Sequence, residues 1–517
     1  MSVWTLLMRS LSLYNNYIFA GLLLLPTLLF VFLADIDQLV RLFPDDAFYY
    51  LQTAYNTVNH GFISFDGLNS TNGFHPLQFL VGIGMAFVAD KENILKLSII
   101  ENAVAVIFNS FILTRCFLEK RTEHIQNIAL VFLSFPLWYL YVWIDAGMEI
   151  GLVLLCTGMF YCAWSKSNDD DFSSTSLNCK MAFFASVLVL ARLDLVIALI
   201  PFALFFVIDL FRRKSGLIQV ALPILSVCLI LLPYLFWNIY YYGNPVPVSG
   251  VVKSGFEHNI TSSWRALTGD HIIGIILLLL PLGMILIALL ISDRGKQRIN
   301  LLLLLAATTL YYGYIILIAK DVFRWYLAFP IAVQIIALSI IFQKAHKITW
   351  IDLTSKKPVF LPLFLIITMI IHGAFYYRVA RINTTSLQLK LITDDLAKEY
   401  VSEDDVLATF DAGTIGFFSR ATVINLDGLA NSLDYYENYL RTGKFQEYFS
   451  RLGVTHLLVR DSLVQNTQKK LASGRFKLDQ RIVLEKSNEL ARYEIPGQFN
   501  LILFRLNNRS YNMKTGT

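Results

Sequence analysis

The sequence carries little charge for its length. Only 16% of its 517 residues are Asp, Glu, Lys or Arg, whereas 56% are hydrophobic. A soluble protein of this size has about 25% charged residues and few long apolar runs. Here apolar runs of roughly 20 residues, enough to cross a bilayer as a helix, recur through the first three quarters of the chain. The composition therefore excludes a soluble globular protein and predicts a polytopic α-helical membrane protein.

Cysteine is also scarce. The five cysteines lie in or beside apolar runs, and none follows Cys228. No pair has metal-ligand spacing with histidines, so we expect neither disulfides nor a cysteine-based metal site. The first apolar run, 17–35, is long enough to span and ends in a poor cleavage site, so we expect it to remain as a signal anchor.

Eleven apolar segments are predicted as membrane spans. They lie near residues 17–35, 94–114, 126–143, 148–164, 181–191, 195–211, 217–236, 271–291, 299–318, 326–342 and 359–377. Residues 76–90 are apolar but short, and they fit a half-inserted or interfacial helix better. Arg192 and Asp194 mark either a buried ion pair in one long helix or a tight turn between two short ones.

The placement of Lys and Arg favours the eleven-span topology. If Arg9 is cytoplasmic, every basic cluster falls on the inner side, as the positive-inside rule requires. The clusters are Arg115, Lys120 and Arg121; Lys166 and Lys180; Arg212, Arg213 and Lys214; Arg294, Lys296 and Arg298; and Lys344, Lys347, Lys356 and Lys357. Fusing 181–211, or counting 76–90 as a span, would move half of them outside.

The opposite face receives the first loop, residues 36–92. This loop carries Asp45, Asp46, Asn72 and His75 directly after the first span. Carboxylates so close to a membrane are costly unless they face water, a partner or a substrate. Its glycines and Pro76 force turns, so we expect a compact loop that holds an active site. The alternative is that Asp45 only caps a juxtamembrane helix.

Four further loops on that face carry ionisable or aromatic residues. They contribute Glu149; Arg192 and Asp194; Lys253; and Arg324, Trp325 and Tyr326. Loops between helices are polar in any protein, but here both signs of charge gather on one membrane face. This pattern indicates a pocket for an anionic, lipid-borne substrate.

Residues 379–517 have a different character from the membrane module at 1–378. Strand-length apolar runs alternate with helical patterns, which predicts a small soluble α/β domain of about 140 residues. The predicted strands are 406–410, 422–426, 456–460, 490–495 and 501–504, and the predicted helices are 384–401, 432–450 and 463–473. This region has no G-x-G-x-x-G, P-loop or nucleophile-elbow motif.

Several motifs resemble signatures of a bacterial branch of the GT-C superfamily of integral-membrane glycosyltransferases. They are Asp45-Asp46-Ala47-Phe48-Tyr49-Tyr50, Thr71-Asn72-Gly73-Phe74-His75-Pro76-Leu77, Gly147-Met148-Glu149, Ala191-Arg192-Leu193-Asp194, Asn244-Pro245-Val246-Pro247 through Lys253, and Asn425-Leu426-Asp427-Gly428-Leu429. The resemblance covers nearly the whole chain. It departs at Gln78, where an aromatic residue is usual, and at Leu193, where proline is expected.

The resemblance implies a GT-C-like module of about 11 transmembrane helices, in a bacterial inner membrane, with the active site and C-terminal domain on the periplasmic side. It implies an inverting hexosyl- or pentosyltransferase with a polyprenyl-phosphate-linked sugar as donor. The acceptor would be a cell-envelope glycan, lipid or protein. Membrane lipids are the other expected partners, and no nucleic acid is expected.

Glycosyl transfer needs a base for the acceptor hydroxyl, cations for the leaving phosphate and a dry pocket for the sugar. We expect Asp46 or Asp45 to be the base, with Asp46 slightly favoured. Lys253 and Arg324 are the candidates for the phosphate, although Arg324 could instead snorkel towards the membrane interface beside Tyr326.

The other candidates line the pocket. His75, Asn72, Glu149 and Tyr326 are expected to contact the donor, whereas Arg192 and Asp194 either contact it or pair with each other. Whether a cofactor takes part is left open; a divalent Mg or Mn ion would be held by Asp46 and Glu149, with Asp45 and Asp194 nearby.

The alternative function is a transporter or flippase of a lipid-linked sugar. Such proteins place charges near the bilayer midplane and often show inverted repeats. In this sequence the charges gather on one face and no repeat is visible.

Overall fold

The computed structural model describes residues 18, 20–118, 129, 145–255, 260–268, 272–293, 295–320, 322–345, 360–464 and 488–506. Across these residues a bundle of apolar helices is followed by a five-stranded sheet. The helices of the bundle are α1 Ala20–Leu33, α2 Ile36–Val40, α3 Asp45–His60, α4 Pro76–Val88, α5 Lys91–Leu118, α6 Ile150–Asp169, α7 Thr175–Ala191, α8 Val196–Arg212, α9 Leu217–Tyr242, α10 Val248–Ser254, α11 Ile260–Thr268, α12 Ile272–Ile291, α13 Lys296–Leu317, α14 Ala328–Ala345 and α15 Phe360–Val379. Two 3-10 turns, Leu193–Leu195 and Arg324–Leu327, precede α8 and α14.

Among the described residues, six helical segments are long and apolar enough to cross a membrane, so the chain is a multi-pass membrane protein. They are Lys91–Leu118, Ile150–Asp169, Leu193–Arg212, Leu217–Tyr242, Lys296–Leu317 and Arg324–Lys344. Each predicted span coincides with a helix except 126–143, of which the structure describes only residue 129. The count of eleven stays a prediction. The predicted interfacial segment forms α4, whose 13 residues are too few to cross a bilayer.

Arg192 separates α7 from α8. Its backbone is extended, with φ −157° and ψ 113°, which ends α7 at Ala191. The turn Leu193–Leu195 follows before α8 begins. The predicted division into two helices is therefore present, and the break leaves Arg192 and Asp194 at the mouth of the bundle.

The C-terminal region contains a mixed sheet. Its strands are β1 Val406–Thr409, β2 Thr422–Asn425, β3 His456–Arg460, β4 Glu489–Ile495 and β5 Phe499–Arg505, in the order β2-β1-β3-β5-β4. β1 pairs in parallel with β2 and β3, whereas β5 is antiparallel to β3 and β4. The accompanying helices are α16 Thr385–Glu399, α17 Ala412–Phe418, α18 Leu433–Tyr435, a π-turn Tyr436–Leu440, α19 Phe445–Leu452 and α20 Asp461–Val464.

All five predicted strands are confirmed, and of the predicted helix 463–473 only the first residues are described. Because successive residues of a strand point to opposite faces, Leu407 and Leu458 belong to one apolar cluster, whereas Ala408 and Leu457 belong to another. The sheet is therefore apolar on both faces, and both must be covered.

The membrane module helps to cover both faces. On one face Tyr49 of α3 and Phe65 join the cluster that contains Leu389 of α16. On the other face Val248 and Val252 of α10 join the opposite cluster. The positions of α3 and α10 are thus fixed by the same sheet.

The start of α3 is also held by hydrogen bonds from α17. The half-buried Asp45 carboxylate accepts from the Thr414 backbone N–H at 2.7 Å, from the Thr414 hydroxyl at 2.7 Å and from the Gly413 N–H at 3.3 Å. Gly413 is in such close contact that a Cβ there would lie 2.1 Å from the Asp45 carbonyl oxygen. Only glycine allows this approach.

We predict that Gly413→Ala disturbs the contact between α3 and α17. The added methyl group must push a backbone carbonyl away, and overpacking of this kind costs about 1–3 kcal/mol. The thermal midpoint of the purified protein should therefore fall. Gly84→Ala is the control, because a Cβ at Gly84 meets nothing within 4 Å, and its midpoint should not fall. Equal midpoints for the two variants would contradict the contact.

Candidate active site

A cavity of about 750 Å³ lies where the first loop, α10 and the two 3-10 turns meet. Seven of the predicted site residues line it: Asp46, His75, Glu149, Arg192, Asp194, Lys253 and Tyr326. The other three predicted residues, Asp45, Asn72 and Arg324, do not appear in its lining. Each of these three instead supports a residue or turn that does.

Arg192 lies at the centre of the polar side of the cavity, between Glu149 and Asp194. It is only 2% exposed, and its guanidinium donates to Glu149 at 2.5 Å and to both Asp194 oxygens at 2.9 and 3.1 Å. Its Cζ lies 3.8 Å from the centre of the Tyr326 ring. Of the two sequence alternatives, pairing of Arg192 with Asp194 is what the structure shows, and Glu149 joins the pair. Buried charges persist only when paired in this way.

His75 approaches this group without forming an ion pair. Its Nε2 lies 3.7 Å from Glu149 Oε1. Burial, helped by the nearby charge of Arg192, lowers the pKa of His75 to about 3. The imidazole is therefore neutral at physiological pH and can offer a hydrogen bond without adding charge.

Asp45 and Asp46 are adjacent in the first turn of α3, but their carboxylates lie in different surroundings. Residues four apart share a helix face, and Asp46 and Tyr50 both line the cavity. Asp45 and Tyr49 share the neighbouring face, where Asp45 bonds to α17 and Tyr49 reaches both the cavity and the C-terminal domain. The Tyr49 hydroxyl lies 3.3 Å from Asp427 Oδ2 and accepts from Asn425 at 3.0 Å.

Burial raises the pKa of Asp45 to about 6, although hydrogen bonds from Thr414 oppose the shift. This carboxyl is enclosed between α3 and the C-terminal domain. Asp46, its neighbour, is the member of the pair that reaches the cavity.

Asn72 holds the segment that carries Lys253. Its side chain accepts from the Val248 N–H at 2.9 Å and donates to Asn238 at 3.1 Å. Asn238 in turn donates to the Pro245 carbonyl at 3.3 Å. These bonds tie the end of α9 and the start of α10 to the first loop, so they place Lys253 at the cavity.

Arg324 is bound to Asp145, outside the lining of the cavity. Its Nε lies 2.9 and 3.0 Å from the two Asp145 oxygens, and its Nη2 lies 2.8 Å from one of them. Burial raises the pKa of Asp145 to about 6, and the charge of Arg324 limits the rise. The pair fixes the turn that brings Tyr326 over Arg192. A contact between Arg324 and a donor phosphate stays a prediction.

Several lining residues were not predicted from the sequence: Tyr49, Tyr50, Tyr314, Lys320 and Leu429. Lys320 donates to the Ser254 carbonyl at 2.6 Å, which brings a second lysine beside the α10 segment. Its position in the same outer loop as Arg324 could have identified Lys320 as a candidate from the sequence. Leu429 had no such signal, because it reaches the cavity from the C-terminal domain.

Two of the residues predicted to hold a divalent metal ion, Asp46 and Glu149, line the cavity. In the described ranges no three His, Cys, Asp or Glu side chains come together as a ligand set. Of the predicted ligands, Glu149 and Asp194 bind the guanidinium of Arg192, and Asp45 faces α17. A metal ion at Asp46 and Glu149 stays a prediction.

Comparisons with known proteins bear on the fold. The crystal structure of ArnT from Cupriavidus metallidurans in the apo state is similar over 92% of this chain and 97% of that chain, with a TM-score of 0.53 at 12% identity. The same protein bound to undecaprenyl phosphate is similar over the same shares, with a TM-score of 0.52 at 13% identity. ArnT is a GT-C glycosyltransferase. This chain has the GT-C fold.

The GT-C fold confirms the predicted fold class: a polytopic helical membrane protein with a small C-terminal sheet domain. A family model described as "Domain of unknown function (DUF8728)" matches residues 379–513. No curated protein sequence matches the chain. At this level of identity the similarity shows the fold alone.

We predict that Arg192→Gln strongly destabilises this GT-C fold. The change leaves the carboxylates of Glu149 and Asp194 without their cation, and breaking a buried pair in this way costs about 3–5 kcal/mol. Arg420→Gln is the control, because its pair with Glu403 is 81% and 68% exposed and is worth about 0–1 kcal/mol. Thermal midpoints in one detergent would compare them, and similar midpoints would contradict the role of Arg192.

Proposed function

We propose that the protein transfers a sugar from a polyprenyl-phosphate donor to a cell-envelope glycan, lipid or protein. The observation that carries the proposal is one cavity lined by a carboxylate, Asp46, by two lysines, Lys253 and Lys320, and by apolar side chains of membrane helices. The similar ArnT structure bound to undecaprenyl phosphate supports a lipid phosphate as ligand.

The apolar part of the cavity suits a prenyl chain. It is formed by Val189 of α7, Val196 of α8, Leu231 and Leu235 of α9, and Ile318 after α13. These helices are apolar enough to lie in the bilayer, and Leu235 is exposed on the outside of the bundle. A lipid could therefore keep its tail among these helices while its headgroup lies against the charged residues.

In the proposed step Asp46 accepts the proton of the acceptor hydroxyl as its oxygen attacks the anomeric carbon. The bond between that carbon and the phosphate oxygen breaks, and polyprenyl phosphate leaves with the electron pair. Lys253 and Lys320 stabilise the negative charge that remains on the phosphate. A single displacement inverts the anomeric carbon.

The buried charges prepare the cavity before the substrate binds. The Arg192 guanidinium is already paired with Glu149 and Asp194, so this group forms a fixed side of the cavity, with neutral His75 beside it. Fixed dipoles and charges of this kind need no reorganisation during the reaction. The donor class, hexosyl or pentosyl, depends on contacts that the sugar makes with this side of the cavity.

The proposal includes the orientation of the protein in the membrane. We place the cavity and the C-terminal domain on the periplasmic side of a bacterial inner membrane, because the predicted basic loops all lie at the other end. A transporter of lipid-linked sugars is the rival function. The charged lining groups come from helix ends, at Asp46 and Arg192, and from the short helix α10 at one mouth of the bundle, which favours chemistry at the surface.

We predict that Asp46→Asn lowers transfer by about 10²–10⁴-fold, as expected when a general base is removed. Purified variants in nanodiscs would be assayed with a panel of undecaprenyl-phosphate sugars and a cell-envelope acceptor extract. Asp45→Asn should lose much less activity, because Asp45 bonds to α17.

Two outcomes would contradict this proposal. If Asp45→Asn is inactive and Asp46→Asn transfers normally, the roles are reversed. If neither change affects transfer, or if the protein only moves intact lipid-linked sugar across liposomes, it is not this transferase.

We predict that Lys253→Gln weakens binding of the lipid-phosphate donor by about 10–100-fold, the value of a lost charge-assisted hydrogen bond. The thermal midpoint without donor should stay near that of the wild type, because Lys253 lies at the cavity surface. Arg324→Gln is the matched comparison. It should mainly lower the midpoint, since it leaves buried Asp145 unpaired. Normal donor affinity in Lys253→Gln would remove Lys253 from the site.

A further inference from the structure

A second cavity lies at the other end of the bundle. The segment Leu193–Arg212 has 20 residues; Leu193 lines the catalytic cavity, and the helix rises about 1.5 Å per residue, roughly 30 Å in total. At its far end a cavity of about 720 Å³ opens between α8 and α9. This volume is within the usual range of ligand pockets.

The cavity exists because α8 and α9 pack on different partners. A short turn, 213–216, joins them, yet α8 packs against α13 and α9 packs against α7. The space left between them has walls of apolar side chains, among them Phe160, Trp164, Phe202 and Ile224. At its rim Phe211 is 80% exposed and Leu217 is 82% exposed, so the cavity opens to the surroundings of the bundle.

The polar residues of the lining are Lys214 and Ser215, both in the turn. Arg213, the preceding cation, is paired with Asp171 at 2.8 Å and with Asp209 at 2.6 Å. Within the described part of the chain Lys214 pairs with no carboxylate, and it is exposed. The cavity therefore combines a deep apolar space with one available cation at its mouth.

We propose that this cavity binds one anionic phospholipid, with an acyl chain between α8 and α9 and the phosphate at Lys214. Water does not fill apolar cavities, and unfilled space in a packed interior is costly. The bilayer around the bundle supplies hydrocarbon at the rim. The lysine then selects a headgroup with net negative charge.

This lipid is not the proposed donor. Its phosphate would lie at the opposite end of α8 from Asp46, so it cannot take part in sugar transfer. The site is a binding site in its own right, and it holds whether or not the proposed transferase activity is correct.

Trp164 in the cavity wall gives a direct test. The protein would be reconstituted in nanodiscs with increasing mole fractions of brominated phosphatidylglycerol or brominated phosphatidylcholine. Subtracting the fluorescence of Trp164→Phe isolates the signal of Trp164. We expect phosphatidylglycerol to quench this signal at an about fivefold lower mole fraction, the effect of one lysine near the membrane surface.

Two variants show whether Lys214 is responsible. Lys214→Gln should abolish the preference for phosphatidylglycerol. Lys180→Gln is the matched control, because Lys180 is an exposed lysine on α7 that does not line the cavity, and it should keep the preference. Equal quenching by the two lipids in the wild type, or no quenching of Trp164 by either, would overturn the proposal.

A second readout does not depend on folding of the Trp164→Phe variant. Native mass spectrometry would count the phosphatidylglycerol molecules retained after detergent washing. We expect Lys214→Gln to retain one fewer than the wild type and Lys180→Gln to retain the same number. An unchanged count in Lys214→Gln would also overturn the proposal.

Discussion

The structure depends on a sheet whose two faces are both apolar. A soluble domain would cover both faces with its own helices, but here α3 and α10 of the membrane module supply part of the cover. The same two helices carry Asp46 and Lys253 to the cavity. Because burial of these faces is favourable and non-directional, the directional bonds of Asp45, Tyr49 and Asn72 are needed to fix where the two helices lie.

Burying the ion pairs at the cavity is unfavourable in free energy, and other interactions in the fold must offset it. Removing Arg192, Glu149 and Asp194 from water is unfavourable, and such groups are often no more stabilising than apolar ones of the same size. These ion pairs instead fix the geometry of the cavity. Arg192 joins the α6 side of the cavity to the turn before α8, and the pair of Arg324 with Asp145 holds the neighbouring turn. A cavity with fixed charges results before any substrate arrives.

The sequence predicted the helices, the break at Arg192 and the five strands, because each is encoded locally by hydrophobic period and by breaks in it. It also predicted seven residues that meet in the cavity, since all lie in loops on one membrane face. It favoured Asp46 over Asp45 only slightly, because the partner that distinguishes Asp45 is Thr414, far away in the chain. Leu429 was not predicted as a lining residue for the same reason, because it lies in the C-terminal domain, far along the chain from the first loop.

The most direct measurement is a cryo-electron microscopy structure in nanodiscs with a non-hydrolysable undecaprenyl-phosphonate sugar. We predict the phosphonate within hydrogen-bonding distance of Lys253 and the anomeric carbon facing Asp46, with Asp45 still bonded to Thr414. A headgroup bound outside this cavity, or a C-terminal domain separated from α3 while the sugar is bound, would contradict it.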